Sequence, residues 1–335
     1  MAYQPQFTVT PGLLGRIERV SALRERILAS AVQVPWIPAL QRDARQRNTH
    51  SSTAIEGNPL TLEEVRILEE GKVLPSAPER ARREILNELA ALRHIEKLPR
   101  EAPVSHEHVL KLHALIGSGV MDQGAAGHYR AIRVRVGSHL PPAPEKVQGL
   151  MTELLEWWNV ESGVWSPVVS SAVLHYRFES IHPFADGNGR TGRALAVWDL
   201  YRRGFDTHHI FSVDEFYWED RPRYYRMLDE TRLKGEDLTG WLEYCAEGLH
   251  GTLERVWERI GRLVFSVKAG DSILLTPRQE RLMALLRERG GLAPREIWKD
   301  LRISKQGALD LIRPLAKAGL LKRIGTRKSG RYVLP

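Results

Sequence analysis

One cysteine in 335 residues leaves Cys245 without an internal disulfide partner and rules out a cysteine-based metal site. No apolar run approaches the roughly 20 residues that cross a bilayer, which excludes a transmembrane protein. The first residues, Met1 to Arg16, lack a basic segment followed by an apolar one, so no secretory signal is expected. Internal repeats and low-complexity segments are missing too. What remains is 42% apolar and 27% charged residues, the mixture of a folded globular chain. A cytoplasmic protein of two or three domains, with no membrane partner, is the expectation.

Alternating β patterns are nearly as scarce. Helical patterning covers Leu13 to Ala31, Pro38 to Ile55, Ala77 to Leu98, Ser105 to Ile116 and Pro144 to Asn159. Thr61 and Glu64 form a capping box that opens another helix. The exception is Arg130 to Val136, where Ile132, Val134 and Val136 alternate with Arg133 and Arg135 before Gly137 and Ser138. That predicts a strand and turn with no sheet to join, which must lean on helices or wait for a partner strand.

Charge divides the chain. Residues 271–335 hold 15 Lys and Arg against 6 Asp and Glu, a balance of +9, whereas the first 270 residues carry −1. A near-neutral helical body therefore precedes a basic tail that suits an anionic partner. Within the tail, Thr276, Pro294 and Ser304 each open a helix, and Leu320 to Ile324 and Arg331 to Leu334 read as short strands. Pro314 predicts a kink or an early end to the third helix. The order is that of a winged helix-turn-helix. Lys305, Gln306 and Arg313 lie on the expected recognition helix, and Lys322, Arg323, Arg327, Lys328 and Arg331 in the wing. DNA is one expected partner, and a protein or a second copy in a homodimer is the other.

The chemistry concentrates between His182 and Arg193. Val168, Val169, Ala172, Val173 and Tyr176 give a buried helix before this stretch, and Ala194, Leu195, Val197, Trp198 and Tyr201 give another after it. The stretch is thus a loop running into a helix N-terminus. Gly187 and Gly189 let backbone amides converge, and the helix start adds free N–H donors for an anion. Arg190 and Arg193 add fixed cations, Asp186 offers a hard oxygen that suits magnesium, and His182 can accept a proton near neutral pH. The spacing Gly187-x-Gly189-x-x-Gly192 matches a dinucleotide fingerprint formally, but that fingerprint follows a strand and this one follows a helix. Polyphosphate, metal and base together imply phosphate-linked group transfer.

These residues resemble the Fic (Fido) family motif, His-x-Phe-x-Asp/Glu-Gly-Asn-Gly-Arg-x-x-Arg, and match it at every defined position. The resemblance implies a mainly α, Fic-type helical bundle with a β-hairpin flap, followed here by the small winged helix-turn-helix (α+β) domain. It places the N-terminal helical region at 1–104, the Fic core at 105–265 and the tail at 271–335. It also implies a protein adenylyltransferase that moves AMP from magnesium-bound ATP to a Tyr, Thr or Ser hydroxyl, releasing pyrophosphate, with self-modification included. His182 would be the base and Asp186 the magnesium ligand. Gly187, Asn188, Gly189, Arg190, Thr191, Gly192 and Arg193 would hold the phosphates, and Tyr224 and Tyr225 the nucleotide base. Val136, Gly137, Ser138 and His139 look like the flap that pins the target by strand pairing.

Ser52 to Gly57 resembles the family's inhibitory motif, Ser/Thr-x-x-x-Glu-Gly/Asn. Ser52 and Glu56 lie four apart on one helix face. The resemblance implies that Glu56 pairs with Arg193 and blocks productive γ-phosphate binding. In some relatives the same Glu activates water to remove AMP, so a reverse activity is a further expectation. The alternative to an enzyme is a nucleotide-sensing transcription regulator that binds DNA and transfers nothing. His175, Cys245 and the nine tryptophans are expected to be packing residues.

Overall fold

The structure is a computed structural model that describes residues 3–29, 37–205, 209–267, 276–317, 320–325 and 330–334. These fall into two compact units, one formed by residues up to 29 with 40–256, the other by 37–39 with 257–334.

The first unit is helical because its sequence buries apolar residues at helical spacing. α1 (Pro11–Leu28) starts at Thr10, whose hydroxyl accepts from the Leu13 amide, and buries Leu13, Val20, Leu23 and Ile27. The helix ends short of Ala31, which lies outside the described residues. α2 (Ile37–Ile55) is unusual: its second half is buried although it is polar, with Asn48, Thr49, Ser51 and Ser52 all inside. A polar buried face needs polar partners. α3 (Leu62–Glu69) opens with the expected Thr61–Glu64 capping box, and α4 (Glu79–Ile95) buries Ile85, Leu89 and Leu92.

α5 (His106–Gly117) and α6 (Pro144–Glu156) follow, the latter running on as a π turn over Trp157–Glu161. α7 (Pro167–Ile181) and α8 (Asn188–Arg202) are buried on nearly all sides, as their patterning demanded. Asp199 of α8 is wholly inside and is satisfied there: it accepts from Trp158 Nε1 and from Ser170 Oγ, each at 2.6 Å. That ties α7, α8 and the π turn into one block. α9 (Asp214–Glu219), α10 (Arg221–Leu233) and α11 (Thr239–Val267) complete the bundle, with Trp241 buried and donating to the Ala172 carbonyl.

The flap departs from expectation. Residues 130–135 form no regular strand; the hairpin shrinks to a single antiparallel bridge, in which the Val136 amide donates to the His139 carbonyl at 3.0 Å and the His139 amide to the Val136 carbonyl at 2.9 Å. Among the described residues no strand lies beside the alternating segment, which bends at 131–132 and is unpaired. Arg130 fixes its base by donating from Nε to the His182 carbonyl at 2.8 Å, while its own amide donates to the Pro183 carbonyl.

The second unit has α12 (Pro277–Arg289), α13 (Pro294–Asp300) and α14 (Lys305–Lys317), then an antiparallel ribbon of β1 (Lys322–Ile324) and β2 (Arg331–Val333). Leu292 pairs with Tyr332 through both backbone groups and extends the ribbon. Leu282, Leu286, Ile297, Ile312 and Leu315 make its core. α14 runs past Pro314 without stopping there: the proline sits on the exposed face, while Ile312 and Leu315 on the buried face hold the helix in place. Of the wing residues, Arg327 and Lys328 lie outside the described residues.

Candidate active site

α7 stops because His182 takes a left-handed conformation, φ 48° and ψ 63°, rare for a residue with a side chain. The chain then turns through Pro183 to Gly187 before α8 begins. Two residues clasp this turn. Asn188 donates from Nδ2 to the Phe184 carbonyl and accepts the Phe184 amide at Oδ1, both at 2.9 Å. His113 of α5 stacks on Phe184, ring centroids 3.5 Å apart and planes 6° apart. The Gly127 amide donates to His113 Nδ1, so the ring proton sits on Nε2 and is donated to the Asp186 carbonyl at 2.9 Å. Gly187 has φ 77°, which a side chain would resist.

The turn presents its amides to a cleft. The amides of Asn188, Gly189 and Arg190 occupy the first turn of α8, where no helical acceptor precedes them. Asp186 lines the same cleft; its carboxylate accepts from the Gly187 amide at 2.6 Å and the Asp122 amide at 3.0 Å, leaving further lone pairs for a cation. A single hard carboxylate beside phosphates fits magnesium, which keeps most of its shell for water and phosphate oxygens.

The cleft, about 510 Å³, is also lined by His182, Glu56, Gly187, Gly189, Arg190, Arg193, Tyr224 and Tyr225. Arg190 is only 4% exposed, yet its Nε and Nη1 have no hydrogen-bond partner among the described residues. Arg193 is 1% exposed and better held. Its Nε donates to Ser52 Oγ at 3.1 Å, and its Nη2 to the Ser52 carbonyl at 2.8 Å and to Glu56 Oε1 at 2.9 Å. Only Nη1 is left over. Ser52 of the polar half of α2 thus supplies two of the three acceptors that hold this guanidinium.

Burial sets the remaining electrostatics. His182 is pushed down to about 3, chiefly by desolvation and then by the neighbouring Arg232, His139 and Arg130. It is a neutral imidazole at physiological pH, with Nδ1 3.7 Å from the Glu179 carboxylate. Burial pushes Glu179 and Glu88 up to about 7 in each case, partly offset by the neighbouring arginines. His175 is held neutral by burial and faces the Tyr224 hydroxyl at 3.0 Å. Tyr225 donates to the Ile55 carbonyl at the end of α2, at 3.4 Å.

Most of the residues singled out by the sequence converge here, but five do not do what was expected. Thr191 and Gly192 do not line the cleft: the Thr191 hydroxyl donates back to the Gly187 carbonyl, and Gly192 packs against Phe178 and Glu179 of α7. Asn188 spends its carboxamide on the loop, so only its backbone amide is left for a ligand. Val136 and Gly137 reach the cleft, whereas Ser138 lies outside it and His139 faces the Ser180 carbonyl. Sequence reasoning missed His113, Glu88 and Glu179. A histidine or carboxylate on an otherwise apolar helix face was the available signal.

A helical core that aims a helix N-terminus, two arginines and a neutral histidine into one cleft defines a helical protein with an anion-binding pocket. Residues 103–200 match the model of the Fic/DOC family, and the chain belongs to that family. It is 34% identical to "Protein adenylyltransferase fic-1" of Caenorhabditis elegans over 242 residues, 70% of this chain and 45% of that protein. It is 30% identical to "Protein adenylyltransferase Fic" of Drosophila melanogaster over 243 residues, 71% of this chain and 47% of that protein. The chain spans just under half the length of these relatives. A crystal structure of a Fic family protein from Desulfovibrio desulfuricans superposes on 99% of this chain and 98% of that one, with TM-score 0.69 and 26% identity. The Caenorhabditis elegans Fic-1 structure covers 75% of this chain and 73% of that one, with TM-score 0.65 and 26% identity. No helix among the described residues is long and apolar enough to cross a membrane.

Proposed function

We propose that this protein transfers AMP from ATP to a Tyr, Thr or Ser hydroxyl of a protein, releasing pyrophosphate, and that Glu56 restrains the reaction. One observation carries the reading: buried guanidinium nitrogens of Arg190 and Arg193 without partners face the same cleft as the free amides of α8 and a neutral His182. A buried cation left unpaired is costly, and a polyphosphate relieves that cost.

His182 would take the proton of the attacking hydroxyl at Nε2, since Nδ1 is turned toward Glu179. The oxygen then bonds to the α-phosphorus and the bond to the β-phosphate bridging oxygen breaks. The amides of Asn188 and Gly189 would meet the charge that develops on the α-phosphate, the Gly187 amide being held by the Asp186 carboxylate. Arg190 and Arg193 would hold the β- and γ-phosphates of the departing pyrophosphate, and Tyr224 and Tyr225 would flank the adenine. Asp186 would hold magnesium, which when bound neutralises phosphate charge. The curated relatives named protein adenylyltransferase support the activity.

The flap would hold the acceptor segment by pairing with its unpaired backbone. The second unit would act as a winged helix-turn-helix contacting DNA through α14 and the ribbon, with Lys305 and Lys322 exposed there. A salt-dependent mobility shift of duplex DNA with the full chain tests that part. Incubation with α-labelled and γ-labelled ATP tests the main reading. Adenylyl transfer puts the α label on protein and leaves the γ label in pyrophosphate, whereas γ label on protein or no label on protein would refute it.

A further inference from the structure

Beside the nucleotide cleft lies a second groove, about 390 Å³, lined by Arg133, Val134 and Arg135 of the flap with Asp122, Ala185 and Asp186. Both arginines are exposed, and neither makes a hydrogen bond or ion pair among the described residues. Two residues apart, they line the same groove. The backbone amides of residues 131–135 likewise have no backbone partner. The groove therefore joins a stretch of unpaired backbone to a pair of uncommitted cations at the mouth of the site.

Its two acidic members do not cancel that charge. Asp122 already receives the Arg80 guanidinium on both carboxylate oxygens, with Nη2 at 2.9 Å. Asp186 is occupied by two backbone amides and is the residue assigned to magnesium. What the groove offers an incoming chain is net positive.

We propose that the flap selects acidic acceptor segments, in which the hydroxyl residue has Asp or Glu within two or three positions, read by Arg133 and Arg135. This rests on the adenylyl-transfer reading and adds a substrate class to it. Each exposed pair contributes modestly, so two or more together give roughly tenfold discrimination over a neutral segment.

The test uses the full chain and short fluorescent peptides with one central threonine flanked by Glu, Gln or Lys, followed by anisotropy. The Glu peptide is expected to bind about tenfold tighter than the Gln peptide, an advantage lost at high salt. Arg133→Glu with Arg135→Glu should transfer the preference to the Lys peptide and leave ATP affinity unchanged. Arg133→Gln with Arg135→Gln serves should the reversal disturb folding, and should abolish the preference. An advantage for the Glu peptide that survives in both variants assigns it to the basic tail and overturns the proposal. So does a loss of ATP affinity, which would make these arginines part of the nucleotide site. A Glu peptide that binds through the arginines but receives no AMP removes adenylyl transfer and leaves the surface standing; AMP transfer without a charge preference does the reverse.

Discussion

Replacing Glu56 with Gly is the most informative perturbation of the socket around Arg193. Glu56 accepts one charge-assisted hydrogen bond, 2.9 Å, from a guanidinium that is otherwise held by Ser52. Such a bond is worth about 1.5–3 kcal/mol when buried. The Glu56 side chain is 36% exposed, so solvent screening trims this to about 1–2 kcal/mol. Removing this bond, with Nη2 still on the Ser52 carbonyl, should therefore raise the fraction of chains with an available Arg193 by roughly 5- to 30-fold. Position 56 lies just past the last residue of α2, so glycine there removes no helical turn, and thermal stability should change little. The assay is the initial rate of AMP incorporation from α-labelled ATP, wild type against Glu56→Gly, with Glu56→Gln between them because it keeps the acceptor and loses the charge. Equal rates for all three chains, with ATP bound, would refute the reasoning that Glu56 restrains the site through Arg193.

Other outcomes follow from the same contacts. Asn188→Ala leaves the buried Phe184 amide unpaired and should cost about 1–3 kcal/mol of stability, read by denaturant unfolding, while transfer falls because the loop loses its clasp. Glu88, raised to about 7 in the folded chain, costs stability as pH climbs from its unfolded value toward 7. Glu88→Gln should accordingly be near neutral at pH 5 and stabilising by about 2 kcal/mol at pH 8, checked by urea titrations at both values. Because His182 in the free protein sits near 3, raising pH from 6 to 8 should not increase kcat/KM through deprotonation of this base. A rise with an apparent pKa near 6.5 that disappears in His182→Ala would contradict the burial argument.

Much of the site was legible because its residues are contiguous. His182 to Arg193 carries loop, base, cations and helix start in one stretch, and local chemistry places them. Glu56 and Arg193 are 137 positions apart, yet the pair was foreseeable from the motif resemblance and a carboxylate at a helix end. Burial of Ser52, visible only in the folded chain, completes the setting of Arg193. Other features depended on tertiary contacts that no local pattern records. His113 matters because α5 brings its ring onto Phe184, and Asn188 was assigned to phosphate although its carboxamide closes the turn. The flap alternates like a strand, but a strand requires a neighbour, and among the described residues none lies beside 130–135. Pro314 was read as a break because sequence does not show that the exposed face of α14 carries it.

The central claim is that a neutral imidazole and a turn of bare amides deliver AMP to protein. Intact-mass spectrometry of the Glu56→Gly chain after incubation with magnesium and ATP tests it most directly. We predict covalent addition of AMP to the chain that vanishes in the Glu56→Gly, His182→Ala double variant although ATP still binds. Unmodified protein with ATP bound, or AMP addition that persists without His182, would contradict it.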